Sequence, residues 1–175
     1  IIVDPENKPE HFLELNPYGD LPTLIDRELV LNESRIIMEY LDERFPHPPL
    51  LPVYPVSRAK CRLMIHRIES DWYSIINRYN NAKGNAQANI RQEINDYIMS
   101  LIPIFKEKAY FLSDEFTLVD CCIAPLLWRL PKYKIKLDPA VAQPVLDYCH
   151  RVFNRESFQA ALTDAEHEIR EDDEI

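Results

Sequence analysis

Glycine is almost missing from this chain, with two residues among 175 against fourteen prolines. Sheet-rich domains draw on glycine for turns with positive φ, so the balance argues against a β-sandwich or barrel. It favours helices separated by proline-bearing joints. A basic excess is missing too. Twenty Lys and Arg stand against 29 Asp and Glu, a formal charge of −9. No direct nucleic-acid binding is expected from that balance, which better suits a protein partner with basic patches. There is no signal peptide and no apolar run long enough to cross a bilayer, so the reading is a cytoplasmic protein without a membrane role.

Cysteine is sparse: Cys61, Cys121, Cys122 and Cys149. None forms a Cys-x-x-Cys pair, and no Cys/His cluster has zinc spacing. The adjacent pair inside an apolar run reads as small core residues in a reducing compartment. No metal and no cofactor is expected. What is present in quantity is apolar surface, 46% of residues, enough for one substantial core or a core with a small appended domain.

The chain opens at Ile1 without methionine, and it reads as beginning inside a domain. Ile1–Val3 suggests a short strand with no preceding strand to pair with. Residues 9–15 suit a short helix stopped by Asn16-Pro17. Thr23–Ile25 and Leu29–Leu31 read as a hairpin around Asp26-Arg27-Glu28. Asn32 is a good N-cap for a helix in which Ile36, Ile37, Tyr40 and Leu41 recur at helical spacing while Glu39, Asp42 and Arg44 face water. Residues 46–56 carry five prolines in eleven positions, which favours an extended, stiff linker. The expected layout is a first domain over 1–45, this linker, and an all-helical domain over 57–175.

Past the linker, Cys61, Ile65, Ile68, Trp72, Ile75 and Tyr79 mark one face of a long helix, with Arg58 to Arg78 forming a basic stripe opposite. Asn80–Asn89 breaks the pattern. A second long helix follows, with Ile90, Ile94, Tyr97, Leu101 and Phe105 on one side. Thr117-Leu-Val-Asp120 is a capping box, with Asp120 reaching back to the Thr117 amide, and it opens a helix apolar on nearly every side. Asp120 is therefore structural. Two shorter helices and a solvated acidic tail from Glu166 to Glu174 complete the reading.

This order resembles the glutathione transferase architecture, an α+β, mostly helical fold with a thioredoxin-like N-terminal domain and an all-α C-terminal domain. Leu21-Pro22-Thr23 resembles that family's cis-proline segment. Glu33-Ser34 resembles the pair that holds the γ-glutamyl end of glutathione. A closer resemblance runs through ESRIIMEYLDERFPHPPLLPVYP (33–55) and YFLSDEFTLVDCCIAPLLWRLP (110–131). These are similar to the stringent starvation protein A family, bacterial proteins of this fold that associate with RNA polymerase. Against that family the first strand and helix are missing from the sequence.

The resemblance implies a non-catalytic regulator of transcription in stress or stationary phase. It implies contact with RNA polymerase holoenzyme, including the primary sigma factor, and a homodimer. Pro46, His47, Pro48 and nearby Tyr54 would form the recognition surface, and Pro22, Glu33 and Ser34 a vestigial glutathione site. A proline-rigid segment loses little entropy on docking, while His and Tyr offer polar tips on apolar bodies. The alternative is a glutathione-dependent transferase or peroxidase. On composition alone the prolines serve equally to end a helix and set a domain angle, and Glu33-Ser34 suits the first turn of a helix.

Overall fold

A computed structural model of the chain describes residues 3–4 and 7–170. It divides into two compact units, Ile1–Leu51 and Pro52–Ile175. Ile1 and Ile2, the start of the expected first strand, lie outside the described residues, and Val3 belongs to no strand.

In the first unit, α1 (Glu10–Leu15) follows Pro9 and ends at Asn16. The hairpin is formed by β1 (Leu24–Asp26) and β2 (Leu29–Leu31), antiparallel with Leu24 opposite Leu31. Its turn needs a left-handed residue, which Arg27 supplies at φ 57°. Asp26 is a strand residue rather than part of a free turn. It accepts the Tyr40 hydroxyl, and Arg44 Nε stands 3.9 Å away. Next comes α2 (Ser34–Arg44), whose N-cap is Glu33 instead of the expected Asn32. The Asn32 amide is engaged elsewhere, donating to Asn16 Oδ1 at 3.4 Å. On α2 only Ile37 is fully buried, while Ile36 and Leu41 are exposed within the described residues.

The second unit opens with α3 (Pro55–Ile68), which begins two residues inside the segment expected to be extended. Pro55 occupies the first helical position, where its missing N–H costs nothing. A π-helical turn over Glu69–Tyr73 leads into α4 (Ser74–Asn81). Because that turn holds an extra residue, the buried face continues from Trp72 to Ile76 and Tyr79 rather than through Ile75, which is only half-buried. The next helix, α5 (Gly84–Ser100), starts within the stretch read as a break. Gly84 enters it at φ 58°, and Ile94 and the fully buried Ile98 are its core contacts. The expected single helix is interrupted at Leu101, since Pro103 cannot donate into a continuing ladder, and α6 (Ile102–Glu107) begins there.

The buried centre is α7 (Leu118–Trp128), packed against α3 and α8 (Pro139–Phe153). The last two helices are α9 (Glu156–Ala161) and α10 (Asp164–Glu168). Among the described residues three α-helices therefore follow α7, and the start of the acidic tail is docked rather than solvated. The Trp128 indole donates to Glu166 O at 2.9 Å, Glu166 pairs with Arg129, and the Arg170 guanidinium lies over the Trp128 and Phe153 rings. Residues 171–174 of that tail lie outside the described residues. Among the described residues no helix is long and apolar enough to cross a membrane, and no cluster of His, Cys, Asp and Glu could hold a metal ion.

Candidate functional site

Asn16 organises the first unit. It is 2% exposed, and its amide donates to Asp20 O at 2.9 Å and to Thr23 Oγ1 at 3.0 Å. Its carbonyl accepts from the Tyr18 amide at 3.2 Å and from Asn32. The loop that carries Pro22, preceded by a cis peptide bond, is thereby tied to the residue before Glu33. Pro22 lies two residues before β1 and Glu33 two residues after β2, at the open end of the hairpin. Pro22, Glu33 and Ser34 are thus gathered at one end of the hairpin, all exposed. Sequence reading missed Asn16 because an Asn-Pro pair looks like an ordinary helix stop.

Glu33 makes no side-chain cap bond, and among the described residues neither Glu33 nor Ser34 spends its side chain on a neighbour. An exposed carboxylate beside a hydroxyl at a helix N-terminus can accept from an ammonium group and leaves free amides that favour an anion. Residues 1–51 contain no cysteine, so they offer no thiol partner for redox chemistry.

The second feature of this unit is the end of α2. Asp42, expected to face water, is half-buried. Its carboxylate accepts the Leu50 amide at 2.6 Å and the Leu51 amide at 3.1 Å, and Leu51 is 2% exposed. Between α2 and this anchor the chain bulges outward. Phe45 is 66% exposed, and Pro46, His47, Pro48 and Pro49 are all exposed. The His47 amide donates to Phe45 O at 2.9 Å, and the His47–Pro48 peptide is cis. The result is a short, pinned segment with its side chains in solvent. Among the described residues no carboxylate or nucleophile bonds the His47 side chain.

In the second unit, Val53, Tyr54 and Val56 are exposed at the entry to α3, Tyr54 at 78%. Arg58 folds back, its Nε donating to Pro52 O at 2.9 Å, and Arg78 pairs with Glu93, so both ends of the basic stripe are engaged.

Thr117 and Asp120 form a capping box at the start of α7. Asp120 is fully buried and does more than cap. One oxygen accepts from Thr117 N at 2.8 Å, and the other from Phe111 N at 2.9 Å and the Tyr148 hydroxyl at 2.7 Å. Burial pushes the Asp120 carboxyl up, opposed by those donors, and burial also pushes the Tyr148 phenol up. Asp120 therefore joins the loop before α7, α7 itself and α8, a role no local sequence signal carries.

Family models agree with this division. The glutathione S-transferase N-terminal domain matches residues 1–49, and the glutathione S-transferase C-terminal domain matches residues 63–156. The stringent starvation protein A homolog of Coxiella burnetii is 50% identical over 173 residues, covering 99% of this chain and 83% of that protein. The homolog of Pasteurella multocida is 50% identical over 161 residues, covering 92% and 76%. Among solved structures, glutathione transferase Omega 3C from Trametes versicolor superposes with a TM-score of 0.78 at 27% identity, over 93% of this chain and 72% of that one.

Proposed function

The chain belongs to the stringent starvation protein A family, with the glutathione-transferase-like fold, and on that premise we propose that it regulates transcription by binding RNA polymerase holoenzyme. The contact is made by Pro46, His47 and Pro48 of the first unit, with Tyr54 of the second as a separate contact, and requires no catalysis. One observation carries the reading: the segment after α2 is anchored through Asp42 and the buried Leu51, yet Phe45 to Pro49 are presented to solvent. A monomer gains nothing by exposing that much apolar ring surface, whereas a partner gains an interface whose ordering cost is already met. Charge supports the same view, since −9 disfavours direct DNA contact.

The protein acts as a homodimer and recognises the holoenzyme through its primary sigma factor. Full-length protein should co-elute with holoenzyme on gel filtration and not with core enzyme alone. Equal co-elution with both would remove the sigma factor from this reading, and co-elution with neither would end it.

Glu33 and Ser34 favour a second, lesser reading, a retained site for a γ-glutamyl group. Calorimetric titration with glutathione tests it, and a saturable heat abolished by Glu33→Gln would support it.

A further inference from the structure

The second unit holds a cavity of about 230 Å³ that no part of the reading above uses. Its walls are Leu130, Ile135, Leu137 and Leu146, with Lys136 and Arg170 also lining it. The space is a cleft partly open to solvent, lined mainly by apolar side chains. A cavity of about 150 Å³ already accepts benzene. This one suits an apolar body of about eight carbons by the same measure.

The strap over residues 131–138 contributes Lys136 to the lining and carries two further lysines nearby in sequence. Along it Tyr133, Ile135 and Leu137 are buried, while Lys132, Lys134 and Lys136 alternate outward. Lys134 sits at φ 57°. Among the described residues none of these three ammonium groups meets a carboxylate. Arg170 is fixed as part of the wall, donating to Trp128 O at 2.8 Å and Leu127 O at 2.9 Å. In a chain of net charge −9, an apolar cavity beside a run of exposed cations is locally selective. Burial attracts an apolar body, and the cations favour an anionic head.

We infer that this cavity is a binding site for a small amphiphilic anion, a medium-chain carboxylate held with its chain among the leucines and its head toward Lys136. The volume commits the site to a free small molecule, because the acyl chain of a membrane lipid is too long for it.

The test is calorimetric titration of octanoate into the full-length protein, with 1-octanol and vesicles of anionic phospholipid as comparisons. Octanoate is expected to bind saturably at one site. Octanol should bind about threefold more weakly, and Lys136→Glu should weaken octanoate about tenfold, since reversing a charge a few ångströms away in a water-like dielectric changes the energy twice as much as removing it. Leu146→Trp, which fills the cavity, should abolish binding. Should that variant fail to fold, Lys136→Glu on an exposed side chain carries the test alone. Absence of saturable binding at millimolar octanoate overturns the proposal. So does unchanged affinity in Lys136→Glu, equal affinity for octanol, or binding to vesicles without binding to octanoate.

Discussion

Replacing Asp120 is the sharpest test of how the helical unit holds together. Its carboxylate divides its duties: one oxygen serves the helix cap at Thr117, the other joins Phe111 and Tyr148 from separate elements. Asp120→Ala strands two buried amides and a buried hydroxyl, each worth about 1–3 kcal/mol when left unpaired. Relief from burying a carboxylate offsets part of that, so the net loss is expected at about 3–5 kcal/mol. Asp120→Asn keeps one acceptor oxygen for Phe111 and Tyr148 and loses the bonds from the Thr117 amide and hydroxyl, for about 1–2 kcal/mol.

Urea unfolding should show the midpoint falling with an unchanged slope. The pH dependence has a definite sign. Burial raises the folded-state pKa of Asp120, so only in the interval between the unfolded and folded values does the folded protein hold a proton that the unfolded chain has released. This contribution is present below the unfolded value and is lost as pH rises through the folded one. The advantage of the wild type over Asp120→Asn should therefore shrink as pH rises above about 4. A loss under about 1 kcal/mol in Asp120→Ala, or an advantage that grows with pH, would refute this account.

Other expectations follow from the same contacts. Asp42→Ala should release the Leu50 and Leu51 amides, raising their hydrogen-exchange rates and costing about 1–3 kcal/mol, with α2 still helical by circular dichroism. Unchanged exchange at those two amides would show the anchor to be unimportant. Burial pushes the Cys122 and Cys149 thiols up to about 12. Both should resist alkylation in the native state near pH 8 and react at ordinary rates once unfolded, at a thiol pKa of about 8.5. Mass spectrometry of partially labelled protein checks this, and rapid native labelling of either cysteine would contradict it.

How far the sequence could be read depends on the range of the contacts involved. The hairpin, the cap at Thr117 and the start of α2 are local. Paired apolar triplets, a Thr-x-x-Asp spacing and an apolar repeat each contain most of their own cause, so they stand close to where the residues put them. The misreadings are tertiary. Asp42 has the composition of a solvent-facing helix residue, and only the fold returns residues 50 and 51 to it. Asn16 looks like punctuation until Thr23 and Asn32 arrive beside it. The π turn at Glu69–Tyr73 shifts the buried face by one position, and no periodicity count contains that insertion. The tail was read from its acids, yet Arg170 docks between Trp128 and Phe153, far away in sequence. The exposed Pro-His-Pro segment was visible as composition. Its pinning at both ends was not.

The central claim is that this pinned segment is a recognition surface rather than a hinge. Its most direct test compares wild type with the His47→Ala, Pro48→Ala double variant in a binding titration against RNA polymerase holoenzyme, alongside thermal melts of both. The account predicts that holoenzyme binding is lost while the melting temperature and the dimer are nearly unchanged. Retained binding, or a large fall in stability in the variant, would assign Pro46, His47 and Pro48 to the architecture of the protein and contradict the claim.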